Sequence, residues 1–268
     1  MHFLKITEIP FFILCAGEGS RMKSSGGKMI KSLIPISKKL PGSLELNIVA
    51  LNQIKVKYIA VALGYEINRI SEHIESISNI RVPLKIIDAN PDWKKGPVYS
   101  FLSGMNNLIS EILFALLPGD TVFHPKVFDL LQNTTFDQDH CYLLYYRSIK
   151  PKENDIIIIT DKKEQNRVIR LAPYQKHIEE LKINFINEDS SDYYKVMIPL
   201  VLINGSFFLY VQAGLESCGY AKNKVIDFLI PYVNSTGKFK AIGFSDTSPC
   251  FVDLDTMKDF ERVKSIIN

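Results

Sequence analysis

Residues Phe11 to Ile36 read FFILCAGEGSRMKSSGGKMIKSLIPI, and this stretch decides how the rest of the chain is read. It opens as a short apolar run, Phe11 to Cys15, of the length and character of a buried strand. The run breaks at Gly17-Glu18-Gly19-Ser20-Arg21. Two glycines two apart let the backbone turn sharply and approach a ligand with no Cβ in the way. Amides freed at such a turn point outward and favour an anion. Arg21 adds a planar guanidinium suited to phosphate oxygens, and Lys28 and Lys31 follow within one loop, Lys23 to Lys31. A strand, a glycine turn, an arginine and then a lysine are what a triphosphate site needs. Two other phosphate signatures do not fit. Met22 stands where a dinucleotide fingerprint needs its third glycine, and the Gly-Lys-Ser/Thr of a P-loop is absent.

Outward from this stretch, strands and helices alternate. Leu44, Ile48, Leu51 and Ile54 recur at helical spacing between Ser43 and Val56. Tyr58 to Leu63 reads as a strand ending at Gly64, and Ile67, Ile70, Ile74 and Ile77 mark an amphipathic helix. Val82 to Ile87 reads as a third strand, and Val98 starts a helix after the loop at Trp93-Lys94-Lys95-Gly96-Pro97. This alternation predicts βαβ units and a mostly parallel sheet, whose ligands lie outside the carboxyl ends of the strands. Phe114 to Asp120, FALLPGD, is a further apolar strand ending in a carboxylate at that edge. Asp120 there suits Mg²⁺, which takes oxygen ligands and bridges phosphates; a turn aspartate is the other reading. Ile156 to Thr160 and Arg167 to Leu171 read as a strand pair, and Lys195 to Asn204 as an apolar strand. The region from Cys141 to about Tyr194 is otherwise less regular. Helices are expected around Phe207 to Ser217 and Lys222 to Asn234. At the end, Thr256 and Asp259 have the spacing of a capping box ahead of an apolar face made by Met257, Phe260, Val263 and Ile267.

Leu14-Cys15-Ala16-Gly17-Glu18-Gly19-Ser20-Arg21-Met22 and Ile30-Lys31-Ser32-Leu33-Ile34-Pro35-Ile36 resemble the two halves of the sugar-phosphate nucleotidyltransferase signature. Those halves run roughly Leu-Ala-Ala-Gly-x-Gly-Thr-Arg-Met and Pro-Lys-x-Leu-x-Pro-Ile. Cys15, Ser20 and Ile30 depart from it, and Ile30 removes the rigid φ ahead of the lysine. The ending Phe251-Val252-Asp253-Leu254-Asp255-Thr256-Met257-Lys258-Asp259 resembles the family's Trp-x-Asp-x-Asp-Thr-x-x-Asp. The family's Asp/Asn-Thr-Gly, which helps hold the acceptor, is replaced by Met197-Ile198-Pro199, so acceptor contacts do not carry over.

The resemblance implies one domain over residues 1–268, an α/β three-layer sandwich with a mixed, mainly parallel sheet. This is the Rossmann-like nucleotidyltransferase fold of glycosyltransferase-A type, with a small β-rich substrate cover at about 141–204. It implies transfer of a nucleotidyl group from an NTP, CTP preferred, to a phosphorylated sugar or alcohol, with inositol-phosphate and choline-phosphate cytidylyltransferases as the nearest subgroup. In that reading Arg21 and Lys31 are catalytic. Cys15, Ala16, Gly17, Gly19, Ser20, Gly96 and Ser100 hold the nucleotide, and Asp120 and Asp253 hold Mg²⁺. Asp255 could share the metal or cap the last helix. Lys31, not Lys28, matches the family's lysine.

The 268 residues suffice for a large core, and 46% hydrophobic with 23% charged residues is ordinary for a globular protein. A net charge of +3 without a long basic run argues against a nucleic-acid partner. The four cysteines form no Cys-x-x-Cys pair and read as reduced thiols of a cytoplasmic protein. The apolar run Ile9 to Ala16 is too short for a membrane span. Two other functions fit parts of the pattern: a metal-dependent glycosyltransferase using Asp253 and Asp255, and a non-catalytic nucleotide-binding protein.

Overall fold

A computed structural model describes residues 2–18, 30–164, 166–184, 193–218, 223–244 and 249–267, with the side chains of 181–184 and 218 excepted. Gly19, Ser20, Arg21 and Lys28 lie outside the described residues.

The chain begins with β1 (Phe3–Lys5) and β2 (Phe11–Leu14), the strand expected from the opening apolar run. Helix α1 (Ser43–Gln53), β3 (Ile59–Leu63), α2 (Ile67–Ser76) and β4 (Leu84–Asp88) follow. The buried residues of α1 and α2 include Leu44, Ile48 and Leu51, and Ile70 and Ile74, as the helical spacing requires. Short helices α3 (Pro97–Leu102) and α4 (Met105–Leu108) lead into β5 (Phe114–Pro118) and β6 (Thr121–Phe123). Then come α5 (Pro125–Gln132), β7 (Thr135–Asp137), β8 (Cys141–Ser148), β9 (Ile156–Thr160), β10 (Val168–Pro173) and α6 (Tyr174–Asn184). The chain closes with β11 (Tyr194–Ile203), α7 (Ser206–Cys218), α8 (Ile226–Thr236), β12 (Phe239–Gly243), β13 (Phe251–Asp253) and α9 (Met257–Ile267).

Nine of these strands form one mixed sheet. Its parallel half is β5-β2-β3-β4, with Phe11 beside both Ala115 and Ile59. β11 runs antiparallel along β5 and carries β8 on its other edge, because Val201 stands opposite both Leu116 and Leu143. The hairpin β9–β10 joins β11 at Val196, on the β5 side and past the carboxyl end of β5. It therefore stands over the edge where a parallel sheet places its ligand.

Side chains alternate across a strand, and both faces of the sheet are covered. Phe12 lies against Phe101 of α3, which stacks on Phe208 of α7 with ring centroids 4.3 Å apart. Phe11 and Ile13, on the opposite face, are equally buried. Cys141 to Ser148 is a regular strand, the feature least visible in its sequence. Its residues Tyr142, Leu144 and Tyr146 and their neighbours Cys141 and Leu143 are all buried, so no polar alternation marks it. Met197-Ile198-Pro199 falls where the β8–β11 register shifts between Met197 and Val201. A proline donates no ladder hydrogen bond, which accounts for a bulge at this point.

Candidate active site

Lys31 sits on a short 3-10 turn, Lys31–Leu33, and its ammonium donates to two carboxylates. Nζ lies 2.8 Å from Asp120 Oδ2 and 2.8 Å from Asp255 Oδ1. The lysine side chain is 11% exposed, the two carboxylates 42% and 43%. Burial pulls the ammonium down, but Asp120 and Asp255 outweigh it and leave Lys31 above the ordinary lysine value. Ile30 takes φ −83° and ψ 107° with its side chain 5% exposed in the main core. Packing thus anchors the approach to Lys31 where the family's proline would do so through its ring.

The carboxylates are brought to Lys31 by strand pairing. β13 lies antiparallel to β6, with Asp253 opposite Thr121 and Val252 opposite Val122. Leu254 N donates to Asp120 O at 3.0 Å. Val252 and Leu254 alternate inward and join Ile36, Val122, Phe260 and Val263 in a small apolar cluster. Alternation then places Asp253 and Asp255 on the other side of the segment. Thr121 Oγ1 donates to Asp253 Oδ1 at 2.5 Å. The Asp253 carboxyl is pushed above the ordinary aspartate value, first by desolvation and then by the Asp120 and Asp255 charges, against the Thr121 hydrogen bond. Asp259 accepts from Thr256 N at 2.8 Å and from Asp255 N at 3.2 Å, so it caps α9 and also fixes Asp255.

The carboxyl edges of β2 and β5 line a cavity of about 380 Å³. Cys15, Ala16, Gly17, Lys31, Ser100 and Asp120 are brought together along its lining. Gly96 does not line it. With φ 130° it turns the chain into α3 and packs on Asn223, a conformation that favours glycine. Asp253 and Asp255 stand beside the cavity and are not among its lining residues. Cys15 is a buried thiol pushed up to about 12 by desolvation, with its hydrogen bond to Ser32 Oγ lowering it and Asp120 raising it. A raised thiol of this kind disfavours the thiolate that nucleophilic chemistry needs.

Several site residues carried no local signal. Ser43 Oγ donates to Gly119 O at 2.8 Å and Asn47 Nδ2 to Thr121 O at 2.9 Å, both fully buried, so α1 holds the Gly119–Thr121 loop. Asn47 was legible only as a polar residue on an apolar helix face. Trp93 and Lys224, Val225 and Ile226 also line the cavity. The last three arrive from a distant segment, tied in by Val98 N donating to Asn223 O at 3.0 Å. Among the described residues no His, Cys, Asp or Glu group forms a ready metal site. The donor set beside Lys31 is nonetheless all carboxylate oxygen, which suits a hard divalent cation that completes its shell with phosphates and water. Nor is any helix there long and apolar enough to cross a membrane.

The chain thus presents a mixed α/β sheet with Lys31 held between Asp120 and Asp255 at its carboxyl edge. The model of the MobA-like NTP transferase domain matches residues 11–186, and the chain belongs to that family and is a nucleotidyltransferase. Solved structures share the fold. The inositol-1-phosphate CTP transferase from T. maritima aligns with a TM-score of 0.66 and 15% identity, over 99% of this chain and 100% of that one. The CTP:phosphocholine cytidylyltransferase from Streptococcus pneumoniae aligns with a TM-score of 0.65 and 13% identity, over 97% and 99%. HddC from Yersinia pseudotuberculosis, complexed with GMP-PN, gives 0.59 and 17%, over 95% and 97%. A comparison with curated proteins finds no match.

Proposed function

We propose that the protein transfers the nucleotidyl group of an NTP, with CTP the favoured donor, to the phosphate of a phosphorylated sugar or alcohol. The observation that carries this reading is Lys31, held by Asp120 and Asp255 at the mouth of a cavity lined by Cys15, Ala16 and Gly17. An oxygen of the acceptor phosphate attacks the α-phosphorus in line. A new P–O bond forms, the α–β bridging P–O bond breaks, and pyrophosphate leaves with that electron pair. No proton needs to move at the reacting oxygens. Catalysis is then positioning and charge stabilisation.

The loop amides at Cys15 to Gly17, with Gly19, Ser20 and the guanidinium of Arg21, hold the triphosphate. Two of the three Lys31 donors go to Asp120 and Asp255, and the third can be offered to a phosphate oxygen. Ser100 faces the nucleoside from the start of α3, and Gly96 sets the turn that brings it there. Asp120 and Asp253 would hold Mg²⁺, with Asp255 beside them. When bound, the ion would supply charge neutralisation for the reacting phosphates. Within the segment 141–204, the β9–β10 hairpin would supply the substrate-side cover, while β8 and β11 belong to the main sheet. CTP is favoured from the Asp-x-Asp-Thr ending and from the two CTP-using proteins that share the fold.

The test is pyrophosphate release from each of the four NTPs with Mg²⁺ against a panel of sugar and alcohol phosphates. Release that needs both an NTP and an acceptor phosphate is expected, fastest with CTP. No release with any pair, or no stabilisation by any NTP with Mg²⁺ in thermal unfolding, overturns the reading.

A further inference from the structure

Asp120 and Asp255 approach one point from different segments, and the Lys31 ammonium occupies that point. Nζ lies 2.8 Å from Asp120 Oδ2 and 2.8 Å from Asp255 Oδ1. The charges of Asp120 and Asp255 also bear on Asp253, so three carboxylates share one locality. Carboxylates so gathered repel one another, and a cation among them offsets the repulsion. Here Lys31 is that cation. Carboxylate oxygens also attract a hard divalent ion. The lysine and such an ion therefore compete for the same oxygens.

The two partners of Lys31 are not equivalent. Asp120 lines the nucleotide cavity beside Cys15 and Gly17. Its segment is fixed on both sides, by Ser43 Oγ on Gly119 O and by Asn47 Nδ2 on Thr121 O. Asp255 is not among the lining residues, and its amide donates to Asp259 Oδ2 at 3.2 Å, which ties it to the cap of α9. A cation entering through the cavity meets Asp120, not Asp255.

Lys31 can move where its partners are held. Its backbone is pinned by Ile30, buried in the main core, and by Ile34 N donating to Lys31 O at 3.3 Å. Its ammonium ends a long flexible stem.

We propose that Lys31 stands in for a divalent cation between Asp120 and Asp255, and that it gives up Asp120 and keeps Asp255 when such an ion binds. Asp255 is then a positioning residue for Lys31 and not a ligand of the ion. Keeping one carboxylate leaves two ammonium donors for phosphate oxygens while the lysine stays anchored. The exchange also makes the carboxylates poor binders of a bare cation and better ones when a triphosphate takes up the freed donors. This deepens the nucleotidyl-transfer reading and rests on it for the phosphates alone; the exchange needs only the carboxylates and a divalent ion.

Mn²⁺ alone, followed by electron paramagnetic resonance of the free ion, tests the exchange with no nucleotide present. Lys31→Met should bind Mn²⁺ about tenfold or more tighter than the native protein. Lys224→Met removes another cation that lines the cavity and should leave the affinity within about twofold. In the Lys31→Met background, Asp120→Asn should weaken binding about tenfold or more and Asp255→Asn less than about threefold. Equal affinity of the native protein and Lys31→Met, an equal gain in Lys224→Met, or equal losses from the two asparagine variants overturns the proposal. The native protein supplies a second measurement, which holds if Lys31→Met does not fold. In isotope-labelled protein, Lys31 Nζ should show nuclear spin couplings through its hydrogen bonds to the carboxyl carbons of both Asp120 and Asp255. Saturating Mg²⁺ should remove the Asp120 coupling and keep the Asp255 one. Retention of both, or loss of the Asp255 coupling, overturns the exchange. Failure of every NTP to release pyrophosphate counts against nucleotidyl transfer, and the Mn²⁺ titration then still decides the exchange.

Discussion

Replacing Lys31 by alanine should cripple turnover at a small cost in stability, and the structure sets both magnitudes. The lysine makes two 2.8 Å charge-assisted bonds, but its carboxylate partners are 42% and 43% exposed and water can replace it. Exposed ion pairs are worth about 0.2–1 kcal/mol each, so the two together contribute about 0.5–2 kcal/mol. A charge that acts on the transition state is worth more, about 10²–10³ in kcat by analogy with an oxyanion-hole donor. The native Lys31 value lies above the ordinary one. Its contribution to stability is thus complete below the unfolded lysine value of about 10.4 and lost as pH rises through the native value. The loss of stability in Lys31→Ala should therefore be flat on this account between about pH 7 and about pH 9. The assay is kcat and KM for NTP and acceptor with Mg²⁺, alongside chemical unfolding. Lys31→Ala should lower kcat with little change in KM. Lys28→Ala, in the same loop, should mainly raise NTP KM. A change in KM alone for Lys31→Ala, or the reverse pattern between the two lysines, would refute the role given to Lys31. Should the alanine variant fail to fold, Lys31→Met keeps the stem and repeats the test.

The remaining predictions concern the carboxylates, the anchor and the turn. Asp253 is raised, so its ionised form costs stability above the native value and the cost disappears as pH falls. Asp253→Asn should raise Tm of the metal-free protein near neutral pH, with a gain that shrinks toward acid, and still lower kcat about tenfold or more. Asp120→Asn should lower kcat at least as far. Unchanged rates in both would return them to turn and cap residues. Ile30→Ala, at a buried anchor, should cost about 2–5 kcal/mol in urea unfolding and lower kcat, whereas Ile30→Val should cost about 0.5–1.5 kcal/mol. Gly96→Ala forces a side chain into φ 130° with its Cβ 2.9 Å from that of Asn223, and should cost about 1–3 kcal/mol in the same measurement.

Where order along the chain mirrors order in space, residues alone were informative. The run Phe11 to Leu14, the helical spacing of α1 and α2 and the strand ending at Asp120 are local patterns, and periodicity reports them because one face must be buried. The Thr256–Asp259 cap is local too: Asp259 Oδ2 takes the Thr256 N–H as its spacing implied, and Thr256 Oγ1 donates to the same carboxylate oxygen. Lys31 was singled out by the motif around it, and Asp120 by its place at the end of an apolar strand. What only the tertiary structure decided is which groups meet. Lys31 and Asp255 are 224 residues apart, and they touch because β13 pairs with β6 and a cluster of six buried apolar residues holds the two segments together. Ser43, Asn47 and Lys224 reach the site in the same way, as ordinary residues whose neighbours come from elsewhere in the chain. Arg147 and Lys195 differ in sequence by 48 positions, and their register across β8 and β11 sets two like charges side by side. A sequence states the charge of each residue; the distance between charges, which decides whether they pair or repel, is fixed by packing.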